Sequence, residues 1–440
     1  MSLLDKMDVR RGPQGASEDD MFEGAGDPYI GIKRKMHADI INLINKQGKE
    51  TIDRESMRKL IDEAVNDESN NIPRVDRAKV AQDLMNDVMG FGPLEELIES
   101  DEYSEIMVNG PDKIYVERAG KIELTNLKFR DDAHVINIID RIVSQIGRHV
   151  DETSPMVDAR LPDGSRVNAV IPPISLIGPV ITIRKFGKKP LTAKNLIDFG
   201  SLSPKMMAFL EACIKGKLNI IVSGGTGSGK TTLLNVLSSF IPADERIITI
   251  EDAAEIQLKQ EHVITLESRP ANLEGKGTIN IRALVRNALR MRPDRIIVGE
   301  VRSDETLDML QAMNTGHDGS LTTTHSNSPR DTISRIETMV MMSGMELPLK
   351  AIRDQVSSAI DLVIHQSRFR DGTRKVTSIT EIVGMENDVV SMQDIFVYEH
   401  TGQIEEGKFR GRFKPTGVLP YCLEKIKNNG VLVNYDWFKD

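Results

Sequence analysis

Asn219-Ile220-Ile221-Val222-Ser223-Gly224-Gly225-Thr226-Gly227-Ser228-Gly229-Lys230-Thr231-Thr232-Leu233-Leu234 decides the architecture. Its first part is an apolar, β-branched run suited to a strand buried on both faces. Its last part continues through Asn235-Val236-Leu237 with the composition of a helix. Between them, Gly224 to Thr231 satisfies G-x-x-x-x-G-K-[ST]. Glycines let backbone N–H groups turn inward around phosphates where a Cβ would obstruct them, and the helix N-terminus adds its positive dipole. Gly225, Thr226, Gly227, Ser228 and Gly229 are the expected cradle. Lys230 is expected on the β- and γ-phosphates, Thr231 on Mg²⁺ through its hydroxyl, and Thr232 beside it. The ligand class is Mg²⁺-ATP.

Working outward, Arg295-Ile296-Ile297-Val298-Gly299-Glu300 is an apolar strand ending in an acid. A carboxylate there can hold the metal or the attacking water, so Glu300 is expected as a catalytic or metal-binding acid. Ile248-Thr249-Ile250-Glu251 ends another strand in an acid, followed by Asp252 and Glu255. Strand C-termini are where open α/β sheets bind ligands, so Glu251 is an equal candidate for the general base. His317 and His325 flank the Thr-rich run Leu321 to Thr324 and are expected near the γ-phosphate as sensors. Neither has the neighbours of a zinc site. Arg282, Arg286 and Arg290 form one helical stripe, for which ion pairs are the ordinary reading and an arginine finger the sharper one.

The rest of the chain organises around this core. Residues 1–28 are polar and read as a disordered tail. Residues 29–90 carry helical spacing, with Ile40, Ile41, Leu43 and Ile44 expected as one apolar cluster. Residues 91–186 read as an α+β domain with an antiparallel sheet, 187–200 as a linker, and 201–440 as an α/β domain with a mainly parallel sheet. Beyond Thr380 the alternation of Val389, Met392, Ile395 and Val397 suggests a final antiparallel piece. Met339, Met341, Met342 and Met345 are expected to fill core, with an adaptable contact surface as the other reading.

Composition excludes several classes. In 440 residues, a formal net charge of −9 and 4 % aromatics disfavour a nucleic-acid partner. Two cysteines give neither a disulfide framework nor a zinc module, as expected of a cytoplasmic protein. No run approaches the ~18 apolar residues of a spanning helix, so membrane association is expected through partners only.

In this order the motifs resemble the traffic ATPases of type II and type IV secretion, and within them the CpaF-type ATPase of tight-adherence (Tad/Flp) pili. The residues carrying the resemblance are the glycine loop, Thr249-Ile250-Glu251-Asp252, Ile297-Val298-Gly299-Glu300-Val301-Arg302, and Gly316-His317-Asp318-Gly319-Ser320 through His325. Asp158 to Ala169 and Asp308 to Gly316 point to the branch. The resemblance implies a PAS-like N-terminal domain joined to a RecA-like ATPase domain, in a homo-oligomeric, hexameric ring at the cytoplasmic face of the inner membrane. It implies inner-membrane platform proteins as partners. It also implies that N-terminal arginines, here Arg166 and Arg184, touch the nucleotide. A secretion ATPase that exports protein remains open beside the pilus reading. A RecA-like nucleic-acid motor, a small-molecule kinase and a non-catalytic scaffold fit the residues less well.

Overall fold

The chain divides between Phe186 and Gly187. The computed structural model describes residues 28–47, 53–118, 120–145, 147–187, 190–269, 276–405 and 408–440. Apart from Pro28, the expected tail lies outside the described residues, as does Lys188-Lys189 of the expected linker.

The N-terminal unit begins with helices α1 (Ile30–Gln47), α2 (Arg54–Asn66) and α3 (Arg74–Met89). Asp53 caps α2 by accepting from the backbone N–H groups of Glu55 and Ser56. Met36, Ile40, Met57, Ile61, Val80 and Leu84 form the shared core. The expected cluster around Ile40 is only partly formed. Ile40 pairs with Met36 four residues back on the buried face, whereas Ile41 and Leu43 rotate out and are exposed.

After the short α4 (Glu95–Glu99) come β1 (Tyr103–Asn109), β2 (Ile114–Arg118) and β3 (Lys121–Leu124). Helix α5 (Asp132–Ser144), β4 (Met156–Arg160), β5 (Arg166–Val170) and β6 (Val180–Arg184) complete the unit. The strands form one antiparallel sheet in the order β3-β2-β1-β6-β5-β4. Alternation supplies its inner face. Ile106, Val108, Ile181 and Ile183 are buried with Ile138, Ile139 and Ile142 of α5.

In the C-terminal unit, helices α6 (Ala193–Asp198) and α7 (Pro204–Lys215) precede β7 (Ile220–Gly224) and α8 (Lys230–Ser238). The segment read as a linker thus holds a folded turn. Thr192 and Asn195 make a capping box, and Leu196 sits in the core. Then follow β8 (Ile247–Glu251), β9 (Val263–Glu267), α9 (Ile281–Ala288), β10 (Arg295–Val298), α10 (Glu305–Asn314) and β11 (Leu321–His325). Next are α11 (Pro329–Met341), α12 (Leu349–Ala359), β12 (Leu362–Arg368), β13 (Arg374–Glu386), β14 (Val389–Glu405), β15 (Lys408–Pro415) and α13 (Leu423–Asn428).

The sheet order is β15-β14-β13-β12-β7-β11-β10-β8-β9. Strands β12, β7, β11, β10, β8 and β9 run parallel, and β13 to β15 extend the sheet antiparallel. Both faces are covered. Ile220 and Val222 point into a core with Leu233, Leu237 and Phe438, and Ile221 points into another with Leu310, Ile336 and Val356. At the N-terminal edge of the sheet, Arg295 is fully buried. It donates to both carboxylate oxygens of Glu245 and to the carbonyls of Ile214 and Gly319.

Of the methionines expected in the core, Met339 is buried, but Met341, Met342 and Met345 are exposed. They occupy the end of α11 and the loop after it, where the helix runs past the layer it covers. Among the described residues no helix is long and apolar enough to cross a membrane.

Candidate active site

Parallel pairing on both sides fixes β7. Its residues are hydrogen-bonded to β11 and β12, and all five are buried. Gly224 ends the strand at φ 151°, where a Cβ would stand 2.1 Å from the carbonyl oxygen of Gln366 on β12. No side chain fits there, so the chain can leave the sheet while packed against its neighbour. Gly225, Thr226 and Gly227 are exposed, Ser228 is buried, and Gly229 adopts the left-handed conformation that starts α8. No side chain caps that helix, so its first N–H groups face the loop's concavity.

Lys230 is buried and its ammonium donates to the Gly225 carbonyl at 3.0 Å. It also lies 3.4 Å from Nδ1 of His325. The other ring nitrogen of His325 is 3.0 Å from Oε1 of Glu300. Oε2 of Glu300 accepts from Arg302 at 2.6 Å, and Arg302 reaches Asp252 at 3.7 Å. Burial lowers the pKa of His325, with Lys230, Arg302 and Arg335 adding to the effect and Glu300 opposing it. A neutral ring that accepts from Lys230 at Nδ1 carries its proton on Nε2, facing Glu300. The register makes this possible, because His325 pairs with Gly224 at the end of β11 and Glu300 lies two residues past β10.

Glu251 belongs to the same sheet edge but is differently engaged. Its buried carboxylate accepts from the backbone N–H groups of Glu255 at 2.8 Å and Ile256 at 3.2 Å. It lies against Gly299, where a Cβ would meet its Cγ at 2.7 Å. Glu300, by contrast, is met by side chains, His325 at Oε1 and Arg302 at Oε2, while the Ser228 hydroxyl is buried without a hydrogen-bond partner.

An unsatisfied hydroxyl in a glycine-lined concavity, with a buried ammonium beside it, suits a polyphosphate. Thr231 and Glu300 are hard oxygen donors of the kind magnesium takes. Among the described residues no group of three or more His, Cys, Asp or Glu could hold a metal. A magnesium ion would therefore complete its shell with phosphate oxygens and water.

The structure separates the two histidines. His317 precedes β11, and its carbonyl accepts from Ser320, whose own carbonyl bonds the start of β7. It therefore sits at the sheet edge opposite the loop, with a five-residue strand between it and His325. Of the two histidines His325 stands beside Lys230 and Glu300, which corrects the expectation that His317 shares that place. Arg166 and Arg184 lie in the N-terminal unit as a cross-strand pair on β5 and β6, with Arg160 opposite Arg166 on β4. Within the expected stripe Arg282 bonds Asp304 and Asp308 and Arg286 approaches Asp308, whereas Arg290 lies past the end of α9.

A parallel sheet ending in a glycine cradle, with lysine, acid and imidazole at its C-terminal edge, defines a P-loop nucleotide-hydrolysing domain. The sequence profile of the type II/IV secretion system protein family matches residues 87–421. The chain belongs to that family, and it is an ATPase. A Mycobacterium tuberculosis protein provisionally named for conjugal transfer is 35 % identical over 302 residues, covering 67 % of this chain and 85 % of that one. The type IV secretion system protein VirB11 of Brucella abortus is 31 % identical over 312 residues, covering 64 % and 85 %. The crystal structure of the VirB11 ATPase of Brucella suis is 28 % identical, covers 65 % of this chain and 94 % of that one, and gives a TM-score of 0.36.

Proposed function

We propose that the chain is the Mg²⁺-ATP-driven motor of tight-adherence pilus assembly, of the CpaF type. It would act as a hexamer on inner-membrane platform proteins at their cytoplasmic face, adding or removing pilin. The observation that carries the motor reading is the chain of contacts from Lys230 through His325 to Glu300 and Arg302. It joins the cradle to the ends of three strands, so a change at the terminal phosphate would be felt beyond the loop. The pilus branch is supported by Asp158 to Ala169 and Asp308 to Gly316.

In this reading Lys230 neutralises charge on the β- and γ-phosphates, and Thr231 and Glu300 hold the magnesium ion. Glu300 is also proposed as the base, because its partners His325 and Arg302 are side chains that can move aside, whereas the carboxylate of Glu251 is held by backbone donors. His325 stays neutral and relays the loss of the terminal phosphate. Arg166 and Arg184 are proposed as the arginines a nucleotide meets from the N-terminal unit.

Glu300→Gln tests the proposal. The variant is expected to bind ATP while turning over about a hundredfold more slowly, and cells relying on it should carry no pili. Wild-type turnover in the variant, or piliated cells, would remove the proposal. A protein-export ATPase is the second reading, favoured by the similarity to VirB11 of a type IV secretion system. It predicts that cells lacking the chain keep their pili and lose a secreted protein.

A further inference from the structure

We infer that the β12–β13 hairpin forms the nucleoside-side wall of the nucleotide site, through Gln366, Arg368 and Arg374. The inference rests on the nucleotide reading above and adds which residues hold the end of the ligand remote from the reacting phosphate. Strand order carries it first. Strand β7 has β11 on one flank, bringing His325 and, beyond it, Glu300, and it has β12 on the other. A nucleotide gripped at its phosphates with its terminal phosphate toward His325 and Glu300 therefore directs its nucleoside toward β12.

The hairpin stands at that place. Arg374 Nε donates to the Gly227 carbonyl at 2.9 Å. A Cβ built on Gly227 would lie 3.2 Å from Arg368 Nη1, and one on Gly229 would lie 3.3 Å from Gln366 Nε2 and from Arg374 Cδ. Arg368 and Arg374 are cross-strand partners, and Gln366 shares their face two residues back. His365, on the other face, bonds the Ser223 hydroxyl instead.

Three features give this wall its chemistry. Gln366 is 2 % exposed, and its Oε1 is buried without a hydrogen-bond partner, an acceptor available to a ribose hydroxyl or a base amino group. Two guanidinium groups on paired residues beside the loop suit an anionic phosphate, which each can meet with charge-assisted hydrogen bonds. With the Gly227 carbonyl turned toward Arg374, the N–H across the same trans peptide, that of Ser228, points the other way, away from the arginine. Arg374 is in this respect a positioning residue for the loop.

The experiment uses purified full-length protein, fluorescent ADP and a non-hydrolysable ATP analogue, with Arg368→Ala, Arg374→Ala and Arg368→Lys. Each alanine variant is expected to bind both nucleotides about tenfold more weakly and by similar factors. Arg368→Lys should recover part of the loss. Unaltered affinities in both alanine variants would overturn the inference. A loss confined to the triphosphate would also overturn it, by placing the arginines at the reacting end. A wild-type chain that binds neither nucleotide would instead remove the nucleotide reading itself.

Discussion

Lys230→Ala is expected to lower Mg²⁺-ATP turnover by about a thousandfold. The ammonium is held in a buried position by the Gly225 carbonyl and the Nδ1 edge of His325. It is thus pre-oriented before any ligand arrives and needs no rearrangement when charge develops on the transferring phosphoryl group. Alanine removes that charge and also the contact that fixes the His325 tautomer. Melting of the ligand-free variant should stay near that of the wild type, because α8 begins with Gly229 and its packing residues are Leu233, Leu234 and Leu237. Steady-state hydrolysis measured beside a thermal melt checks both statements. A variant that keeps half its activity would mean that the loop is not the reacting site.

The largest stability effect is expected at the other end of the same sheet. Glu245→Ala should cost about 4 kcal/mol, the order found when one partner of a buried ion pair is removed. For a unit of this size that corresponds to a fall in melting temperature of roughly 10 °C. Arg295 has no exposed surface, and four of its hydrogen bonds converge from Glu245, Ile214 and Gly319. Without the carboxylate the cation would keep only carbonyl partners in a site closed to water. Arg295→Met in the Glu245→Ala background should restore part of the loss, because it removes the charge rather than stranding it. Gly319→Ala should act in the same direction as Glu245→Ala. A Cβ there would stand 1.8 Å from Arg295 Nη1, at a residue with φ 83°. Circular dichroism melts of these variants test the set, and an unchanged melting temperature for Glu245→Ala would show that the pair contributes nothing.

What was legible in the sequence follows from how far each contact reaches along the chain. The cradle was legible because strand, loop and helix are consecutive, and the spacing of Gly224, Gly229 and Lys230 is itself the geometry. Glu300 and His325 were legible because an acid or imidazole ending an apolar run lands at the C-terminal edge of a parallel strand. His317 was misplaced for the complementary reason: it lies close to His325 in sequence, but a strand separates the two ends of the sheet. Strand β9 was missed, although Val263 to Glu267 alternates in the usual way. Gln366, Arg368 and Arg374 carried no local signal. Asp371-Gly372 reads as an ordinary polar turn, and only the pairing of β12 with β7, some 140 residues apart, brings those side chains to the loop. The exposed methionines were misjudged because amphipathic spacing does not reveal where a helix outruns the layer beneath it.

The strand order also constrains how the protein is made. The central strand β7 is synthesised before either neighbour, and the core beneath it includes Phe438, whose ring meets Phe209 edge-on and packs tilted against Phe396. A ribosome therefore carries β7 with both edges unpaired until β11 and then β12 have been made. Unpaired edges of that kind make a nascent chain prone to aggregation, the hazard that chaperones meet.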